Sequence, residues 1–203
     1  MKIFKQETNK SCGVACLRSI LNHYGNDFSE KDVWEKNDPF NPNENSFLNP
    51  IICLGVNALK FGFDVEYYGY NPIIANYKKS ETLENSLREK SKNYFNFGKY
   101  EVDKALEFLK LGGKINIDKL KIIKIKKLLD KNKFLLVEIR PAFLNMHSSP
   151  NMNHKVILTE YTKKGFNFLN PSDGKKCFVN FDDFLLAFYA AMPELLVIRK
   201  RKK

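Results

Sequence analysis

No apolar run in this chain is long enough to span a bilayer, and the first residues lack the apolar stretch of a secretory signal. A chain complete as given is therefore expected in the cytoplasm. Cysteine is scarce: Cys12, Cys16, Cys53 and Cys177 are too few and too scattered for a disulfide scaffold. Cys12 and Cys16 with His23 lack the paired spacing of a zinc site, so neither a metal nor a cofactor is expected. Internal repeats and low-complexity linkers are missing too. Acidic residues are in deficit, 23 against 34 Lys and Arg, which leaves a net charge of +11. The lysines are spread along the chain and denser over 119–133 and 199–203. On a helix such a face is usually solvated, and a general Lys, Asn, Ile and Phe bias accounts for the excess. Nucleic acid is therefore not an expected partner, despite the charge.

What remains is an ordinary globular composition, 43% hydrophobic and 28% charged over 203 residues, enough for one domain with a sizeable core. Residues 12–24 have helical periodicity, with Ala15, Cys16, Ser19, Ile20 and His23 on one stripe and Gly25 as a stop. Ser29 to Asp32 resembles a capping box for a short helix carrying Val33 and Trp34. Residues 37–50 form a loop. Asn49-Pro50 opens a third helix that ends at Gly62. Residues 63–70 follow as a strand. Residues 78–111 predict two polar helices broken near Asn96-Phe97-Gly98, and residues 118–131 another helix. Strands are then expected over 134–140, 155–161, 166–169, 177–181 and 195–199, with a loop over 141–153 and a helix over 182–192. Helices first and antiparallel strands after make an α+β order.

Two distant segments carry the chemistry. Cys12 stands where its helix begins. There the unpaired backbone N–H groups and the positive end of the dipole favour a thiolate. Gly13 leaves room beside the sulfur. Gln6, six positions earlier, can point a side-chain N–H at the carbonyl that Cys12 would attack; with the Cys12 backbone N–H it makes a two-donor oxyanion hole. His154 opens one strand and Asn170 closes the next, and neighbouring antiparallel strands can bring them side by side. Such a pair supplies a base and the group that orients it. His147 is the rival base, in a polar loop with no strand behind it. Asn167 and Asp173 are rival orienters. Cys16, Cys53 and Cys177 suit packing, and His23 a helix end.

These segments resemble the C39-like peptidases of the papain-like cysteine peptidase superfamily. The likeness lies in Gln6, Ser11-Cys12-Gly13-Val14-Ala15-Cys16-Leu17 and Tyr24-Gly25. It continues in His154-Lys155-Val156-Ile157-Leu158, Gly165, Leu169-Asn170-Pro171 and Phe184-Leu185. Leu54 and Ala58 to Phe63 add to it. The likeness covers about 1–70 and 115–200. It implies a papain-like fold: a single domain over 1–203, its N-terminal helical half packed on a C-terminal antiparallel sheet, with a helical insertion at about 71–114. It also implies Cys12 as nucleophile, His154 as base, Asn170 as orienter and Gln6 as oxyanion donor. Ser11 stands where the family usually has Asp. Many C39 peptidases trim double-glycine leaders within peptide exporters; with neither membrane spans nor a nucleotide-binding loop here, that substrate does not carry over.

The expectation is a cysteine peptidase acting on a specific peptide or isopeptide bond through a thioester, with a peptide or protein as partner. The alternatives are a cysteine acyltransferase or amidase on the same scaffold, and a non-catalytic peptide-binding module. If Met1 is the true start, no N-terminal propeptide precedes the site. Access would then be restricted by the 71–114 insertion or the 141–153 loop.

Overall fold

A computed structural model describes residues 1–35, 50–76, 81–94, 96–144 and 152–201. The first helix, α1 (Cys12–His23), is buried along most of its length. It is followed by α2 (Glu30–Glu35), where Asp32 N–H donates to Ser29 Oγ at 3.1 Å and Ser29 N–H to Asp32 Oδ2 at 2.7 Å. That reciprocal pair is the expected capping box. The central helix α3 (Ile51–Lys60) starts directly after Pro50 and is buried from Ile51 to Leu59. Gly55 sits within it because a Cβ there would lie 2.7 Å from the ring of Phe108.

Next come β1 (Phe63–Gly69), α4 (Pro72–Ala75), α5 (Leu83–Asn93), α6 (Asn96–Lys110), β2 (Lys114–Ile117), α7 (Ile122–Lys131) and β3 (Leu135–Ile139). A 3-10 turn over Pro141–Leu144 precedes β4 (His154–Tyr161), β5 (Gly165–Asn170), β6 (Lys175–Asn180), α8 (Phe181–Ala190) and β7 (Glu194–Lys200). The strands form one sheet in the order β2-β1-β7-β3-β4-β5-β6. Every pair is antiparallel except β1 with β2. Helices cover both faces. Leu136, Ile157, Leu196 and Ile198 join the core of α1, α3 and α6, while Leu135, Val137, Val156 and Leu195 join that of α7 and α8. Strands buried on both sides read as continuous apolar runs, which is why β3 and β7 lack polar alternation.

The α+β arrangement, with the Cys12 helix half packed on a C-terminal sheet, is present. The sheet is wider than expected, since β1 and β2, which precede the C-terminal strands in the chain, extend it. The helix predicted from residue 118 starts at Ile122 instead. Asp118 N–H donates to Gly69 O at 3.1 Å, so the sheet edge holds the backbone at that point. The break in the polar helical region falls before Asn96 rather than after it. Within residues 71–114, Val102, Ala105 and Phe108 of α6 are fully buried in the principal core. The 37–49 part of the first expected loop and residues 145–151, with His147, lie outside the described residues.

On α7, Ile125, Leu128 and Leu129 face inward and the lysines outward. Lys124 pairs with Asp118 at 3.1 Å, and Lys126 lies over the Phe181 ring at 4.1 Å.

Candidate active site

Cys12 is the first residue of α1, and no side chain caps that helix at Ser11. A tight turn leads into it. Ser11 N–H and Ser11 Oγ both donate to Thr8 O, at 3.2 and 3.1 Å, and Thr8 N–H donates back to Ser11 Oγ at 3.0 Å. Ser11, where the resemblance would place an Asp, is thus buried and engaged in shaping the turn. Cys12 is 9% exposed. Gly13, read in the sequence as leaving room beside the sulfur, also has a packing role. A Cβ there would meet Leu54 Cδ1 at 2.7 Å and Lys155 Cδ at 3.4 Å, so glycine lets α1 close onto α3 and β4.

His154 opens β4 and is 8% exposed. Its Nε2 lies 2.9 Å from Asn170 Oδ1, at the end of β5. Ser172 N–H also donates to that oxygen at 3.1 Å, which fixes the orientation of the Asn170 amide. Oδ1 only accepts, so Nε2 carries a proton and Nδ1 is the nitrogen left for Cys12. The sequence offered no sign of Ser172 beyond a turn. Its Oγ lies 3.2 Å from His154 Nε2 and donates to Gln6 Oε1 at 3.4 Å.

Gln6 reaches the site through the same loop, its backbone N–H donating to Pro171 O at 2.8 Å. Gln6 Nε2 donates to Thr8 O at 2.8 Å. One amide hydrogen therefore anchors the side chain, and the other has no partner among the described residues. The two rival orienters lie elsewhere. Asn167 donates to Glu160 at 3.2 Å, and Asp173 accepts from Lys175 N–H at 3.0 Å within its own turn. His23, at the far end of α1, packs edge-on against Phe134.

Electrostatics separate the four thiols. Burial pushes Cys12 up, but a hydrogen bond from His154, the charges of His154 and Lys155, and the Lys155 backbone N–H outweigh it, leaving the thiol below its ordinary range. Burial pushes Cys16 well up, Cys53 to about 12 and Cys177 up. His154 moves in the complementary direction. Burial disfavours its charge, but Cys12 and Asn170 together raise it above an ordinary imidazole. A lowered thiol against a raised imidazole favours a thiolate–imidazolium pair. Such a pair can attack a carbonyl and return a proton to the leaving group. Among the described residues no group of His, Cys, Asp and Glu is arranged to hold a metal ion. No described helix is long and apolar enough to cross a membrane.

Residues 1–66 match the model of the Peptidase C39 family. No curated protein matches the chain. Among solved structures, the peptidase domain of ComA from Streptococcus, a bifunctional ABC transporter involved in quorum sensing, aligns over 98% of both chains at 11% identity and a TM-score of 0.55. A protein from Bacillus anthracis described as a C39-like peptidase aligns over 99% of this chain and 95% of its own at 12% identity and a TM-score of 0.51. The fold is that of C39 peptidase domains.

Proposed function

We propose that this chain is a cysteine peptidase that hydrolyses a specific peptide or isopeptide bond through a thioester. The observation that carries this reading is the buried His154 ring that Asn170 orients at 2.9 Å; against burial, His154 and Lys155 together lower the Cys12 thiol, while burial raises the other three. His154 Nδ1 takes the Cys12 proton. The thiolate adds to the substrate carbonyl, and the oxyanion faces the Cys12 backbone N–H and the second amide N–H of Gln6. The imidazolium then protonates the departing amine as the C–N bond breaks. Water, deprotonated by the same imidazole, attacks the thioester and releases a carboxylic acid and the free thiol. Family likeness over residues 1–66 and the shared fold support this assignment. Four unpaired cysteines suit a reducing compartment such as the cytoplasm.

The test is digestion of a cell-derived peptide library in water enriched in heavy oxygen, with products read by mass spectrometry. New carboxyl termini carrying one heavy oxygen, absent with Cys12→Ala, are expected. The same products from Cys12→Ala would overturn the reading, and amide products formed only with added amine would make the protein an acyltransferase.

A further inference from the structure

β3 and β4 pair so that Glu138 lies opposite Lys155 and Ile139 opposite His154. Asn153 and Lys155 are the chain neighbours of His154 on either side. Glu138 grips both of these neighbours. Its Oε1 accepts from Asn153 Nδ2 at 2.6 Å and its Oε2 meets Lys155 Nζ at 3.2 Å. Arg140 Nη2 closes the chain on Asn153 Oδ1 at 3.1 Å. Glu138 and Lys155 are 5% and 7% exposed. The Lys155 stem runs beneath the first turn of α1, near Gly13, and its carbonyl accepts from Cys16 Sγ at 3.4 Å.

A buried ion pair contributes little to stability, because the cost of desolvating both charges offsets their attraction. The same sheet face carries Leu136, Ile157 and Leu196, so an apolar pair would pack there. A charged pair beneath a candidate nucleophile calls for an electrostatic account. We infer that the Glu138–Lys155 pair belongs to the thiol site: Glu138 is a positioning residue that holds both neighbours of His154, and the Lys155 ammonium keeps the Cys12 sulfur ionised. The inference rests on Cys12 being the nucleophile.

The groups facing Lys155 come from five elements. Glu138 lies on β3, Glu194 on β7, Glu101 on α6, Cys12 and Cys16 on α1 and Cys53 on α3, with His154 beside it on β4. Burial pushes Lys155 down, but Glu138, Cys12 and Glu194 hold it above an ordinary amine. Glu101 is raised to about 7 and Glu194 to about 8, chiefly by burial. Lys155, paired with Glu138 at 3.2 Å, therefore stays cationic near neutral pH.

The test is the pH profile of Cys12 alkylation by iodoacetamide, which needs no substrate. Removing one partner leaves a buried charge, so the variant is the double neutral Lys155→Met with Glu138→Gln, in which Gln keeps an acceptor for Asn153. Alkylation at pH 6 should fall at least tenfold against wild type, while the rate at high pH, where the thiol is fully ionised, stays the same. A folded double variant with the wild-type profile overturns the inference. A double variant that fails to fold overturns it as well, by making the pair structural. If wild-type Cys12 is itself unactivated, the peptidase reading falls too. An activated wild type with an unchanged double variant defeats this inference alone.

Discussion

His154 Nε2 stands 2.9 Å from Asn170 Oδ1, and that oxygen also takes the Ser172 N–H at 3.1 Å. The amide is locked, and so is the imidazole tautomer that leaves Nδ1 free to accept the thiol proton. Replacing Asn170 by Ala should lower kcat about 10²-fold with KM little changed, since the base loses its orientation. Asn170→Asp should keep most of the activity. A carboxylate in that place favours the imidazolium further, so the alkaline limb of the kcat/KM profile should move to higher pH. Steady-state kinetics on a cleaved peptide checks both.

Gln6 is anchored by one amide hydrogen on Thr8 O, and the proposed mechanism gives the other to the oxyanion. Loss of one such donor costs about 3–4 kcal/mol in the transition state, so Gln6→Ala should reduce kcat by about 10²–10³-fold. Ser172→Ala should cost only a few-fold, because Asn170 Oδ1 is the nearer partner of the same ring nitrogen. A larger effect for Ser172 than for Gln6 would reverse the assigned roles.

Gly13→Ala tests the packing account of the position after the nucleophile. The added methyl meets the buried Leu54 side chain, and overpacking of this kind costs about 1–3 kcal/mol. The melting temperature should fall. Leu54→Ala in the same chain should cost less than it does alone, because it makes room for the methyl. Unchanged stability in Gly13→Ala would return the glycine to a role in substrate access.

The buried carboxyls make a pH prediction with a definite sign. Burial, then Glu138 and Glu101, raise Glu194 to about 8. The folded protein therefore keeps a proton that the unfolded chain loses near about 4.3. Stability from this group is complete below the unfolded value and is lost as pH rises to about 8. Chemical denaturation should show wild-type stability falling between pH 5 and pH 8. Glu194→Gln, which keeps an acceptor for the Tyr67 hydroxyl, should flatten that fall and raise the melting temperature at pH 8 more than at pH 5.

Local patterns were legible and long-range pairings were not. The start of α1 at Cys12, the capping box at Ser29 and the β4–β5 pair each follow from neighbours in the chain. β2 carries only Lys114 to Ile117, and it becomes a strand because β1 offers it an edge. The same edge delays α7 to Ile122. Nothing near Glu194 indicates that β7 sits between β1 and β3. Glu138 and Lys155, charged letters in apolar strands, suggest solvent-facing positions, and only their mutual pairing across β3 and β4 lets them be buried. Ser172 was hidden for a similar reason: its approach to His154 depends on the turn after β5, and its residue type carries no signal there.

The central claim is that His154 activates the Cys12 thiol, and the most direct measurement is the pH dependence of Cys12 alkylation in wild type and in His154→Ala. The account predicts a wild-type midpoint below the ordinary thiol range and a clear upward move in His154→Ala. An ordinary thiol profile that the substitution leaves in place would contradict it.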